Sequence, residues 1–379
     1  MNRLQRYMFL QVAQAVLLAV GFFVFVLVTG SLLKEVIPLL SNGMISWGQF
    51  AEILFFVIPG ILPYALPIGL LTGVLIVLGR MSAQNEILVM KAAGISLWRL
   101  ASPVFLIAII GVIVSLVINF EQAPRALSAY KRIIGTAARA NPSRLIAPGQ
   151  FTRLKKHVVH ATTRTGDRIG NPWIWEFDDN GRVIRVIHAD SGQLNFDVAK
   201  GVLKLTVVNA RLETLNRSKP EDFSSPATSS KAAFLPVEIP LDALLSRMDD
   251  FGKKKLRYHT LGELLELRKT GWNLKPNATP AERFASRIGV QLQIQSNLAS
   301  AFGILSMSML AIPLGIKTSR SETFVNIAIA LALALSFYVL TVAVSWIKTP
   351  VVRPDLLVWL PNFLYQGIAC VLLWKTSKN

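Results

Sequence analysis

Apolar positions in this chain follow two patterns. Toward both ends they form long runs free of Asp, Glu, Lys, Arg and His, and in the middle they alternate with polar residues over short stretches. The uncharged runs are Tyr7–Leu33, Ile53–Gly79, Leu100–Phe120, Ile288–Ile316, Thr323–Ile347 and Leu356–Trp374. A helix needs about 20 apolar residues to cross a bilayer, so the pattern predicts six membrane spans. As a helix, Tyr7–Leu33 reaches about 40 Å at roughly 1.5 Å per residue, against a hydrocarbon core of about 30 Å. It therefore tilts or projects. It is about twice as long as a signal-peptide core, and no small-residue cleavage site follows it, so it is expected to remain as an anchor.

Between the third and fourth runs the period changes. Glu121–Ala140 is expected to continue the third span as a helix. After Pro142, β patterns follow at Gly149–Ala161, Trp173–Phe177, Arg182–Asp190, Gln193–Asp197 and Val202–Leu212. Asp178-Asp179-Asn180-Gly181 and Val198-Ala199-Lys200-Gly201 are the turn signals between them. Ser218–Ser230 is polar and predicts a loop. Thr260–Gly271 predicts a short amphipathic helix with Thr260 as cap and Gly271 as stop. The expected fold is a helical membrane protein: six transmembrane helices with an inserted antiparallel β domain of jelly-roll-like form. Its expected parts are 1–120 for helices one to three, 121–287 for the inserted domain with flanking helices, and 288–379 for helices four to six.

Charge orients this layout. Arg3, Arg6, Arg80, Lys91, Arg99, Lys317, Arg320, Lys375 and Lys378 fall on one side of the spans, and Lys34, Lys348 and Arg353 on the other. The richer side is expected to be cytoplasmic. Both termini then lie in the cytoplasm of a bacterium and the central block in the periplasm. The formal net charge is +18. Residues 121–287 hold 28 Lys/Arg against 17 Asp/Glu, so +11 of it lies in the central block. A basic block tethered at both ends to membrane spans fits an anionic lipid or glycolipid better than nucleic acid. The single cysteine, Cys370, allows no internal disulfide and no cysteine-based metal site.

Candidate chemistry concentrates in the loop after the second span, Leu78-Gly79-Arg80-Met81-Ser82-Ala83-Gln84-Asn85-Glu86-Ile87-Leu88-Val89-Met90-Lys91-Ala92-Ala93-Gly94-Ile95-Ser96. Ser82 suits a helix N-cap and Gly94 a C-terminal stop. The helix between them, of about eleven residues, is too short to span. With Ile87, Leu88, Val89, Met90 and Glu86 it suits docking into a groove on a partner, or else it lies among lipid headgroups.

Gly79-Arg80-Met81-Ser82, Asn85-Glu86-Ile87 and Ala92-Ala93-Gly94-Ile95-Ser96 together resemble the signature of the LptF/LptG family of lipopolysaccharide export permeases. Pro148-Gly149-Gln150-Phe151, Ile312-Pro313-Leu314-Gly315 and the six-span layout are similar to that family too, so the resemblance covers essentially the whole chain. Asn141-Pro142 and Pro148–Phe151 look more like LptF than LptG. The resemblance implies that residues 82–94 form a coupling helix for a cytoplasmic ABC ATPase dimer of LptB type. Ser82, Glu86, Ile87, Met90 and Gly94 are then the coupling residues, and Glu86 stands where the family has an acid facing a basic residue of the ATPase. It also implies a paralogous permease subunit, a periplasmic bridge protein of LptC or LptA type, and lipopolysaccharide as substrate, with basic residues near Lys34 contacting it.

Other residues bear on these expectations. There is no Gly-x-x-x-x-Gly-Lys-(Ser/Thr) motif, so the chain is expected to be no ATPase itself and to need no cofactor. The span interiors lack ionisable residues, which favours an ATPase partner over ion-coupled transport. A membrane-anchored periplasmic scaffold is the alternative. Lys34, Arg125, Lys131 and Arg132 are candidate phosphate contacts, or else an anchor and a solvated helix face. Pro59, Pro63 and Pro67 share a face of span two and predict a kink, static or moving. Gln291, Gln293, Gln295, Ser296 and Asn297 need partners in lipid, or the span begins near Leu298. His157 and His160, three apart on a strand, point to opposite faces, so no shared metal is expected.

Overall fold

The computed structural model describes residues 3–140, 142–154, 156–178, 180–197, 202–214, 228–240, 255–274, 279–317, 323–347 and 353–378. Among these described residues, six helices are long and apolar enough to cross a membrane. The chain forms two compact units, one from Met1–Leu33, Leu54–Tyr130 and Lys255–Asn379, the other from Lys34–Ile53 and Lys131–Lys254.

In chain order the helices before the sheet are α1 (Arg3–Ser31), α2 (Ile37–Ser41), α3 (Trp47–Ala83), α4 (Glu86–Ala92), α5 (Leu97–Val117) and α6 (Ala123–Ala140). After it come α7 (Leu261–Thr270), α8 (Pro280–Lys317), α9 (Thr323–Ser345), α10 (Pro354–Leu357) and α11 (Leu360–Lys378). Most of the apolar stretch of α3 and of α8 is buried, 67% and 72%, whereas the other four candidate spans bury 17–33% of theirs. Helices α3 and α8 therefore form the middle of the helical unit. Leu17, Phe25, Ile113, Leu335 and Val371 face outward from the other helices, as lipid-facing positions do.

Close backbone contact joins α1 to α3. A Cβ added at Gly69 would lie 2.8 Å from the Cα of Val20, and one at Gly73 would lie 2.7 Å from the Cα of Val16. The Gly-x-x-x-Gly spacing 69–73 sets two side-chain-free positions one helical turn apart, so the helices meet backbone to backbone. Helix α7 forms as its sequence predicts. Thr260 and Glu263 make a reciprocal capping box, and Gly271 closes it at φ +90°. Leu264 is wholly buried with Phe120, Val290 and Ile294. This packing places α7 and the start of α8 in the helical unit, although the expected inserted block ran to 287.

The described residues of the second unit hold a nine-stranded antiparallel sheet: β1 (Phe151–Leu154), β2 (His157–His160), β3 (Thr163–Thr165), β4 (Arg168–Gly170), β5 (Trp173–Phe177), β6 (Val183–His188), β7 (Ser191–Asp197), β8 (Val202–Thr214) and β9 (Thr228–Pro240). β8 organises it. Its first half pairs with β7, its second half pairs with β6, and β9 runs along its whole length. Asn209, at φ +55°, marks the change of partner. The arms β1-β2-β5-β6 and β7-β4-β3 diverge from that point. They close on one core that includes Leu154, Val159, Ile174, Ile187, Ile169, Leu194, Leu203, Leu205 and Val207.

The expected strand Gly149–Ala161 is a hairpin, β1 and β2. β3, β4 and β9 were not predicted. Residues 228–230 of the expected loop are strand, since Thr228 begins β9. Residues 218–227 lie outside the described residues, as does the 198–201 turn. The Asp178 turn forms: its carboxylate accepts from the backbone of Asn180 at 2.9 Å and of Arg182 at 2.8 Å. These donors, the Arg182 backbone first, hold the carboxyl below its ordinary range.

Burial holds the His157 imidazole below its usual value of 6.5, with Glu176 pulling it up and Arg185 pushing it further down. The unfolded chain therefore takes up this proton first as pH falls, and stability is lost below about pH 6.5. His157→Gln is expected to flatten the decline in thermal midpoint between about pH 7.5 and 5.5. An unchanged slope in that variant would show that His157 does not carry it.

Candidate functional site

The signature loop folds as two helices joined by the turn Gln84-Asn85. Helix α3 runs on to Ala83, so Ser82 sits in its last turn and caps nothing. The expected eleven-residue helix is the seven-residue α4. Its N-cap is Asn85, in the left-handed conformation at φ +59°, which Asn tolerates. The stop at Gly94 is as the sequence predicts. Gly94, at φ +77°, donates to Lys91 O and Ile95 donates to Met90 O, both at 3.0 Å. These two bonds are the Schellman motif. Ser96 then caps α5, accepting from the Arg99 backbone.

Helix α4 is two-faced. Ile87 (3% exposed) and Met90 (9%) point into the same core as Met81, Leu97 and Leu100. Leu88 (64%) and Val89 (66%) point outward, with Glu86 half-buried beside them. Ile87 and Met90, expected to couple to a partner, are buried in the core of their own bundle. The apolar side chains offered outward are Leu88 and Val89. Lys91 reaches the C-terminal end of α11, its Nζ 3.5 Å from Thr376 O, where a cation meets the negative end of the helix dipole. Arg80 donates to Gln11 of α1.

The end of α3 is fastened to the end of α8. Ser82 Oγ donates to Ile316 O at 2.8 Å, in a buried position. That carbonyl lies in the last turn of α8, where the described residues supply no intrahelical donor. One residue before it, a Cβ on Gly315 would lie 2.8 Å from Leu78 Cβ. The loop motif Gly79–Ser82 and the motif Ile312–Gly315, far apart in sequence, are thus one contact. Ser82→Ala leaves a buried carbonyl without its donor and is expected to cost about 1–3 kcal/mol of stability. Chemical unfolding in detergent measures this, and Ser82→Thr, which keeps the hydroxyl, should recover most of it.

Lys34 is exposed on a π-helical turn, Leu32–Val36, that follows α1. Arg125 is paired with Glu121 one turn earlier on its own helix, which reduces its availability to a phosphate. Lys131 is half-buried on α6. Pro59, Pro63 and Pro67 all lie inside the continuous helix α3. Three amides at the start of α8 find partners within the helical unit. Gln293 donates to Asn297 at 2.9 Å, Asn119 donates to Asn297 O at 3.0 Å, and Trp359 donates to Gln295 at 2.9 Å. The buried Oε1 of Gln291 has no donor among the described residues. His157 and His160 pair with Glu176 and Trp173 on opposite faces of the sheet.

The family model for the lipopolysaccharide export system permease LptF/LptG matches residues 6–375. The chain belongs to the LptF/LptG family. A curated relative, the lipopolysaccharide export system permease protein LptG of Haemophilus influenzae, is 24% identical over 139 residues. That match spans 36% of this chain and 39% of the relative's length. Neither finding separates the LptF and LptG branches.

Proposed function

We propose that this chain is a transmembrane subunit of an ATP-driven lipopolysaccharide exporter, powered by a separate cytoplasmic ABC ATPase. The observation that carries the reading is the seating of α4: apolar Leu88 and Val89 and the acid Glu86 face outward on a short helix rooted in the two central helices. Such a helix moves with the bundle. Closure of an ATPase dimer around it would be passed to α3 through Asn85 and to α8 through Ser82 and Gly315. Family membership and the six spans support placement in the inner membrane, and the Lys/Arg bias supports α4 facing the ATP pool. In this reading residues 121–287 lie mainly in the periplasm, flanked by helical parts 1–120 and 288–379.

The need for ATP follows from the substrate. Each buried CH₂ holds a lipid in place by about 0.8 kcal/mol, so a multi-acyl lipid does not leave the bilayer unaided. The outward apolar faces of α1, α5, α9 and α11 suit lipid and a paralogous permease subunit around a shared cavity. The strand edges that have no partner among the described residues suit handover to a bridge protein by β-augmentation. Proteoliposomes holding this chain with its paralogue and ATPase should release lipopolysaccharide to a bridge protein only with ATP. Release that persists without hydrolysis, or follows a proton gradient at constant ATP, would overturn the reading.

A further inference from the structure

The outward face of the β unit carries a line of side chains that the coupling argument does not use. Phe151 stands opposite His160, His160 opposite Trp173, Trp173 opposite His188, His188 opposite Arg211, and Arg211 opposite Lys231. Directly paired residues of an antiparallel sheet point to the same side. Six strands thus contribute one row, about 24 Å long at roughly 4.8 Å per strand. The next residues along these strands, Val159, Ile174 and Ile187, are buried in the core. The row faces away from that core: Phe151 is 70% and Trp173 38% exposed, and Arg211 and Lys231 are exposed.

One end of the row is aromatic. Trp173 stacks on His188 at 4.1 Å and on Trp175 at 5.9 Å, and Phe151 lies 4.7 Å from His160 and 5.6 Å from Trp175. A contiguous aromatic patch left in water marks an interaction site. The other end is cationic. Arg211 and Lys231 face each other directly, an arrangement that destabilises a sheet. Among the described residues neither has an acidic partner. An anion set between them would relieve that repulsion.

We propose that this row binds an acidic or phosphorylated oligosaccharide. Aromatic surface takes up the C–H faces of sugar rings, the ring N–H groups meet hydroxyl oxygens, and the Arg–Lys end takes the acid group. Glu213, two residues beyond Arg211, opposes a flat anionic bilayer pressed over the whole face, whereas a narrow chain lies along the row. The inference rests on the export reading and adds where the saccharide head of the lipid would be held, apart from its acyl chains.

The test uses the full chain in its complex with paralogue and ATPase, titrated calorimetrically with deacylated phosphorylated oligosaccharide from lipopolysaccharide. Binding is expected, weakened about tenfold or more by Trp173→Ala and by Arg211→Glu with Lys231→Glu, while thermal unfolding shows each variant folded. If the oligosaccharide does not bind, or binds the variants equally, while intact lipid still binds, the row is not the site and the export reading stands. If inorganic phosphate or anionic vesicles bind as well as the oligosaccharide, the row is a general cationic patch and the proposal falls. If intact lipid fails to bind at all, the export reading falls, and oligosaccharide binding that the row variants abolish would still uphold the row.

Discussion

Glu86→Lys in the full chain is expected to abolish lipopolysaccharide export while membrane insertion and chain level stay as in the wild type. Glu86 opens α4, where a carboxylate suits the positive end of the helix, and it is half-buried beside exposed Leu88 and Val89. Nothing in the bundle core depends on it, since Ile87 and Met90 hold α4 in place. In the proposed function this acid faces a basic residue of the ATPase. Truncating one partner of such a pair costs about 2–5 kcal/mol, and reversal adds repulsion. At about 1.4 kcal/mol per factor of ten, ATPase association should fall by well over an order of magnitude. Pull-down of the ATPase, with protease resistance of the membrane-inserted chain, measures both halves. Normal export by the variant would remove Glu86 from the mechanism.

Gly73→Leu is expected to separate α1 from α3 and to leave little folded helical unit in detergent. The obstacle is backbone. Val16 Cα and N both lie 2.7 Å from the position of the new Cβ. Overpacking in a close-packed core costs about 1–3 kcal/mol where side chains can yield, and here no side chain can. Truncating Val16 to Ala should therefore fail to rescue it. Two controls set the scale. At Gly111 the nearest atom is the Ile304 side chain at 3.1 Å, and at Gly21 nothing lies within 4 Å. Gly111→Ala should be mild and Gly21→Ala neutral. Thermal unfolding of the purified chain, with and without Val16→Ala, reads the series.

The six helices were legible because uncharged runs of this length have one stable home. Their ends were not. Helices α3 and α8 extend past their apolar runs, since outside hydrocarbon a helix needs only its backbone bonds. The bounds of β5 are legible because Trp173–Phe177 is a short run rich in aromatic residues between Asn171-Pro172 and the Asp178 turn. β1 and β2 read as one strand in the sequence because Lys155-Lys156 between them carries no Gly, Pro, Asn or Asp turn signal. β9 is not legible because its polar start looks like loop and its prolines argue against a strand; Pro236 and Pro240 sit on a strand with one partner among the described residues, where the missing N–H is tolerated.

At the candidate site the sequence does not say which apolar residues of the short helix are buried and which are exposed. A short amphipathic helix has two apolar edges, and periodicity does not say which one its own bundle takes. Ile87 and Met90 went inward, leaving Leu88 and Val89. Ser82 looked like a cap because Ser before a helix usually is one. It became a tether because α3 ran one residue past it. The Gly69–Gly73 contact did carry a signal, the Gly-x-x-x-Gly spacing within an apolar run.

The most direct test places a photocrosslinking amino acid at Val89 of the full chain in its native membrane. The account predicts an adduct with a nucleotide-hydrolysing subunit, and no such adduct from buried Ile87. If Val89 yields none, or if position 89 is labelled by a membrane-impermeant reagent added from outside, α4 does not face a cytoplasmic ATPase and the coupling account fails.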